Sequence, residues 1–154
     1  MIYLNIGNSV VLNTLGVPVI NSFEHLCEQL SVTEQLLYFL TYKKKYCYFE
    51  KKIPKKDKTE RTLNVPSLSL KVVQRWILKE ILEKIYVSKQ AMAFIPHKNG
   101  LRENAERHKK NIFLLEMDIT NFFGTITEQQ VYRLFCNIGY NSKVAGILAN
   151  LCTY

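Results

Sequence analysis

The stretch IFLLEMDITNFFGTIT, residues 112–127, decides how the sequence is interpreted, because it places a carboxylate among apolar side chains. Asp118 is one of only two aspartates in the chain, and Met117, Ile119 and Phe122 stand close to it. An ionised carboxylate beside apolar surface is costly unless water or an opposite charge compensates it. Asp118 therefore lies at a solvated strand end or awaits a cationic partner.

The alternation of residue types around Asp118 predicts a β-strand. Counted in steps of two, the polar residues Glu116, Asp118 and Thr120 fall on one face and apolar residues on the other. Two carboxylates so spaced can present oxygen ligands to a hard cation such as Mg²⁺. A half-buried strand with a solvated polar face would show the same pattern, so both interpretations stay open.

The composition is that of a folded globular chain. A length of 154 residues suits one domain with a real core, and 47% hydrophobic with 22% charged residues lies outside the disordered class. Apolar runs are too short to cross a bilayer, and the apolar N-terminus lacks the basic residues that precede a signal peptide core. Four widely spaced cysteines favour reduced thiols, so we expect a cytoplasmic protein without membrane association.

Positive charge is concentrated in one part of the chain. The net charge is +8, but residues 1–41 carry −3, residues 42–61 carry +6 and residues 62–154 carry +5. Tyrosines and a phenylalanine alternate with the lysines of the basic segment, which suits a phosphate backbone or a nucleotide. A solvated lysine-rich surface would account for the charge equally well.

Local patterns predict helices on both sides of a hairpin. Asn21 with Glu24 and Ser31 with Glu34 match the capping box, so two short helices are expected within residues 22–41, with their leucines inward. Segment 46–53 is rich in aromatic residues and ends at Pro54, and segment 61–65 ends at Pro66. With the polar turn KKDKTE between them they predict a hairpin with lysines at its tip.

Four further helices are predicted after the hairpin. The first begins at Ser67 or Ser69 and is expected to reach about Val87, with an apolar stripe and a separate basic stripe formed by Lys71, Arg75 and Lys79. The next is capped by Asn99 and places Asn104 and His108 on one face. Thr127 with Gln130 caps another, whose inner face is formed by Val131, Leu134, Phe135 and Ile138. That helix ends at Gly139 and precedes a last helix around residues 144–151. The predicted class is α+β.

Several motifs then occur in an order known from one enzyme family. YCYFEKKIPKKDKTERTLNVPSLSLKVVQRWILKEIL, SKQAMAFIPHKNG and LLEMDITNFFGTI resemble the fingers hairpin with its helix, the second block and the first catalytic-aspartate block of bacterial reverse transcriptases. These are the retron and group II intron enzymes, and NAERH at 104–108 matches the NAxxH signature of the retron kind.

The resemblance implies roles for individual residues. Asp118 would be a Mg²⁺ ligand of nucleotidyl transfer, supplemented by the backbone carbonyl of Ile119, and Phe123 would be the aromatic gate that rejects a 2′-hydroxyl. Lys55 and Arg61 would close on the incoming triphosphate. The nucleic-acid contacts would be Lys56, Lys71, Arg75 and Lys79, whereas Asn104 and His108 would be a structural pair or an RNA contact.

The resemblance also implies an architecture. By resemblance to a right-hand polymerase, residues 1–41 would form an N-terminal helical segment. Residues 42–111 would form the fingers, and residues 112–154 the beginning of the palm. The family's Tyr-x-Asp-Asp motif is missing, and Glu128 is the one acidic residue after Asp118. We therefore expect an incomplete portion of an RNA-directed DNA polymerase that is inactive by itself.

The implied partners are those of a reverse transcriptase. They are an RNA template, a DNA product strand and dNTPs, and the retron type extends them to a retron non-coding RNA and an effector protein in antiviral defence. Three alternatives stay open: a non-catalytic basic RNA-binding fragment, a gene remnant, or an enzyme of the group II intron or abortive-infection type.

Overall fold

The computed structural model describes residues 3–54, 60–95 and 99–154, with the side chains of residues 3–7 left undescribed. Helices and one antiparallel hairpin form the fold, which agrees with the predicted α+β class. Short 3₁₀ turns occupy Lys44–Cys47 and Leu82–Lys84. The elements are α1 Tyr3–Thr14, α2 Phe23–Leu30, α3 Glu34–Tyr42, β1 Tyr48–Pro54, β2 Glu60–Pro66, α4 Leu68–Glu80, α5 Gly100–His108, α6 Phe122–Thr125, α7 Glu128–Ile138 and α8 Ser142–Cys152.

Helices α2 and α3 form where predicted, but their caps differ. The Ser22 hydroxyl, and not Asn21, accepts the hydrogen bond from the His25 amide at the start of α2. Thr33 caps α3 in the same way, whereas Ser31 ends α2 in the left-handed conformation with φ 53°. The predictions of Asn21 and Ser31 were wrong because a second capping-competent residue lies one or two positions further on.

The predicted hairpin is confirmed, and its base is tied to the helices. β1 and β2 pair in antiparallel register from Tyr48 opposite Pro66 to Pro54 opposite Glu60. The Gln74 side-chain amide on α4 donates to the Tyr48 hydroxyl at 3.0 Å and to the Leu151 carbonyl at 2.8 Å. One side chain thus joins the hairpin base, α4 and the end of α8.

The hydrophobic core is built around α8. Six of its residues are buried, and it packs against α7, α3, α4 and α2, which belong to all three predicted segments. The division of the chain at residues 41 and 111 stays a prediction. Other members of the core are Leu12, Ile20, Leu26, Leu37, Leu40, Leu70, Val73, Ile77, Ile81, Phe135 and Ile138.

Two leucines expected inside the core are exposed. Leu36 and Leu134 keep 37% and 45% of their surface in contact with solvent. Each precedes a fully buried residue, Leu37 or Phe135, and one residue corresponds to about 100° of rotation around a helix. Both side chains therefore lie away from the core.

The remaining helices follow the prediction at their starts better than at their ends. Ser67 caps α4, but the helix ends at Glu80 and not near Val87, and a 3₁₀ turn continues it. Asn99 precedes α5 without making a side-chain cap. The capping box of Thr127 with Gln130 is present at α7, and Gly139 ends that helix with φ 121°.

The stretch around Asp118 is not a β-strand in the structure. Residues 113–119 have no regular secondary structure, and in the described part of the chain no strand pairs with them. A strand exists only where a neighbour pairs with its amides and carbonyls, so alternation alone cannot create one.

Within the described ranges, none of the helices combines the length and apolar character that a bilayer crossing requires.

Candidate nucleic-acid and metal site

An open cleft of about 770 Å³ lies between helix α5 and the irregular segment that contains Asp118. The cleft brings the predicted pair on α5 together with the predicted metal ligand, although they are ten or more residues apart in sequence. The lining residues are Leu101, Asn104, Ala105, His108, Leu114, Leu115, Glu116, Met117 and Asp118.

The structure resolves the question of how Asp118 tolerates its apolar neighbours. Asp118 is exposed, and so are the apolar side chains beside it, with Met117 86% and Ile119 65% accessible. Water therefore solvates the carboxylate, and no burial penalty has to be offset. Glu116 and Asp118 both line the cleft, so the two carboxylates share one surface even without a strand.

The donor set of the cleft fits part of a Mg²⁺ site. Among the residues that the structure describes, no group of three His, Cys, Asp or Glu side chains could hold a metal ion. Mg²⁺ is usually bound through one or two carboxylates, with waters and substrate phosphates as its other ligands. Glu116 and Asp118 are the two carboxylate residues of the cleft lining, which is the number that such a site uses.

Phe123 lies on the short helix α6, a few residues after Asp118. Its ring is 70% exposed and contacts the Phe122 ring edge to face, with 5.6 Å between centroids. The turn into α6 passes through Asn121 in the left-handed conformation, and a Cβ at Gly124 would meet the Asn121 side chain. The backbone around Phe123 is therefore restricted, while the face of its ring is accessible.

Asn104 and His108 do not form a buried pair. Both are exposed on α5, and the His108 ring is 3.0 Å from the side-chain amide of Asn111, within hydrogen-bonding distance. The geometry leaves the cleft-facing sides of Asn104 and His108 available to a ligand.

The basic stripe of α4 is exposed as predicted. Lys71, Arg75 and Lys79 recur every four residues and all contact solvent. No carboxylate in the described ranges lies within salt-bridge distance of any of the three. Their charge is therefore available to an anionic partner.

The hairpin residues are only partly accounted for. Arg61 is exposed on β2 opposite Ile53, near the tip. Lys52 of β1 pairs with Glu60 at 3.1 Å across the same end. The predicted contacts Lys55 and Lys56 lie outside the described residues.

Sequence reasoning overlooked Gln74 as the residue that positions the hairpin. Gln74 follows Leu70 by four residues and precedes Ile77 by three, so it lies beside the inward stripe of α4. A polar residue at such a position needs a hydrogen-bond partner, and this was the available signal. The structure supplies two partners, Tyr48 and Leu151.

Comparison with known proteins identifies the family. The chain is 32% identical over 151 residues to the Retron Ec86 reverse transcriptase of Escherichia coli. The match covers 96% of this chain and 46% of that protein. The chain corresponds to the N-terminal portion of a retron-type reverse transcriptase. Two further relatives come from Myxococcus xanthus. The Retron Mx65 reverse transcriptase is 34% identical over 101 residues, which are 66% of this chain and 23% of that protein. The Retron Mx162 reverse transcriptase is 27% identical over 142 residues, which are 90% of this chain and 29% of that protein.

The predicted resemblance to retron-type reverse transcriptases is thereby confirmed. This retron-type chain spans between about a quarter and a half of the length of these curated relatives. No protein-family model matches it.

Proposed function

We propose that this retron-type chain contributes the fingers and the first palm residues of an RNA-directed DNA polymerase that copies a structured RNA into DNA by Mg²⁺-dependent nucleotidyl transfer. The observation that carries the proposal is the match to the Ec86 reverse transcriptase over 96% of this chain. The same relationship supports dNTPs, a retron non-coding RNA and an effector protein as partners.

The basic surfaces support template binding. Lys71, Arg75 and Lys79 present three cations at intervals of one helical turn, and Arg61 adds a planar guanidinium near the hairpin tip. Evenly spaced cations can neutralise successive phosphates of one strand. A guanidinium donates two parallel hydrogen bonds to one phosphate, which suits an incoming triphosphate. We assign the α4 stripe to the template and Arg61, with Lys55, to the nucleotide.

The cleft residues support a role in the chemical step. Asp118, with the Ile119 carbonyl, would hold Mg²⁺, which when bound supplies charge neutralisation for the triphosphate and activation of the 3′-hydroxyl. The Phe123 ring would pack beneath the sugar of the nucleotide, because its face is accessible and its turn is restricted. Asn104 and His108 would contact RNA across the cleft.

A fusion enzyme tests this proposal. The chain is joined to the portion of the Ec86 reverse transcriptase that lies outside the match, and RNA-templated primer extension is measured with Mg²⁺ and dNTPs. We expect DNA synthesis from the fusion and none from either part alone. Asp118→Asn should abolish synthesis, whereas Lys143→Gln, on the exposed start of α8, should leave it unchanged. Equal synthesis by the Asp118→Asn fusion would refute the assigned role.

RNA binding without chemistry is a second candidate function for these 154 residues. The net charge of +8 and the unpaired stripe on α4 support it independently of Asp118. Under this alternative the chain binds RNA tightly, but the fusion gives no synthesis although it folds and retains RNA binding.

A further inference from the structure

Helix α3 presents aromatic side chains beside its core-facing stripe. Leu37, Leu40 and Thr41 are buried. Tyr38 and Tyr42 are instead 54% and 53% exposed. A helix with one core-facing stripe ordinarily carries charged or polar residues on its other face. Neither tyrosine belongs to the buried core, so core packing alone does not explain two aromatic residues here.

The two tyrosines form a contiguous surface. Their ring centroids are 4.9 Å apart and the rings are tilted by 46°, so they touch and leave no room for a third ring between them. Exposed Phe39 lies between them in sequence. The pair is therefore a platform, on whose outer side a flat apolar group can stack.

Cations border this platform. Lys43 and Lys45 follow α3 directly and are exposed, and within the described ranges no carboxylate lies within salt-bridge distance of either. The Lys45 ammonium lies 5.0 Å from the centre of the Tyr46 ring, which is 64% exposed. Exposed rings and exposed cations thus alternate along residues 38–46 of the chain. The positive charge beside the rings favours an anionic partner that carries flat groups.

We propose that the tyrosine platform, Tyr38 and Tyr42 with Tyr46, Lys43 and Lys45, binds single-stranded RNA by stacking of unpaired bases on the rings and contact of the lysines with the adjoining phosphates. Aromatic platforms beside cations are the common solution for binding single strands, because every base has a π face. The proposal rests on the RNA-binding function proposed above and adds a second contact surface, outside α4 and the cleft. Duplex RNA, whose bases are already stacked, would not use the rings.

Fluorescence anisotropy with the full 154-residue chain and a labelled unstructured RNA tests the platform. We expect Tyr38→Ala with Tyr42→Ala to weaken binding roughly fivefold to 100-fold for one stacked base. Tyr38→Phe with Tyr42→Phe keeps the rings and should bind normally. Because these positions are exposed, thermal melting of both variants should match the unaltered chain. The slope of log affinity against log salt should not change in either, since no charge is lost.

Further probes separate the remaining possibilities. Leucine at both positions should bind RNA as weakly as alanine, because it is apolar but cannot stack; normal binding by the leucine variant would indicate an apolar docking surface and overturn the proposal. The alanine substitutions should not affect binding of duplex RNA, and an equal loss there would also overturn it. Preference for DNA of the same sequence over RNA would contradict the assigned ligand.

The design distinguishes this proposal from the function on which it rests. If the unaltered chain binds RNA and charge removal on α4 weakens it, but the alanine pair has no effect, only the platform is refuted. If the unaltered chain does not bind RNA, the platform and the RNA-binding function on which it rests both fail.

Discussion

Removal of the α4 stripe should lower the salt dependence of RNA binding by a calculable amount. The variant replaces Lys71, Arg75 and Lys79 by glutamine, which preserves helix propensity and removes three exposed cations. Each phosphate contact contributes about 0.7 to 0.9 to the slope of log affinity against log salt. Three contacts correspond to a slope reduction of about 2 to 3.

A matched control isolates contact from overall charge. Glutamine at Lys110, Arg133 and Lys143 also removes three exposed cations, so both variants fall from a net charge of +8 to +5. Anisotropy titrations across a series of KCl concentrations give the slope for each variant. Only in the α4 variant should the slope of log affinity against log salt fall by about 2 to 3. Equal slopes for the two variants would refute α4 as a template-binding surface, because the effect would then come from the general field of the protein.

Three further predictions concern the fold. Gln74→Leu should lower stability by about 1–3 kcal/mol in denaturant titrations, because both of its partners lose their donor; the exposed Gln129→Leu is its control, and equal effects would contradict the anchoring role. Leu148→Ala should lower the free energy of unfolding by about 2–5 kcal/mol because it leaves a cavity beside α8, whereas Leu68→Ala, at a site 78% exposed, should lower it by less than about 0.5 kcal/mol. Similar losses for the two variants would mean that α8 is not the centre of the core. Burial raises the pKa of Tyr140 above its ordinary value of 10, so the unfolded chain ionises first and stability should fall as the pH rises beyond 10. Tyr140→Phe should make stability less dependent on pH there, and an unchanged dependence would show that other groups cause it.

Local sequence signals predicted most helices and the hairpin correctly. The helical spacing of apolar residues on α4 correctly predicts that Leu70, Val73 and Ile77 are buried, because the stripe that a helix buries follows from its own period. The capping box at Thr127 succeeded for the same reason, since both of its hydrogen bonds lie within one turn. At Asn21 and Ser31 the same rule failed, because neighbouring residues of equal competence competed for the cap.

The prediction of a strand at Asp118 was wrong because strand formation depends on residues elsewhere in the chain. Alternation describes a chain that is able to pair, and pairing requires a neighbouring strand. The apolar residues of this stretch remain exposed, with Phe113 and Met117 at 90% and 86%. Its assignment as an active-site segment came from motif order and not from periodicity. The cleft shared with Asn104 and His108 emerged only from the fold, because sequence spacing does not reveal how α5 is placed.

Sugar selectivity of the fusion enzyme tests the central claim most directly, that this chain contributes the nucleotide pocket of a reverse transcriptase. A loss of activity can result from misfolding, whereas a change in selectivity requires contact with the sugar. Phe123→Val should allow DNA synthesis to continue and increase ribonucleotide incorporation relative to deoxyribonucleotide incorporation by roughly 10- to 100-fold, because the smaller side chain admits a 2′-hydroxyl. Leu134→Val, at an exposed position on α7 that does not line the cleft, is the control and should leave selectivity unchanged. Unchanged selectivity in an active Phe123→Val enzyme would contradict the account.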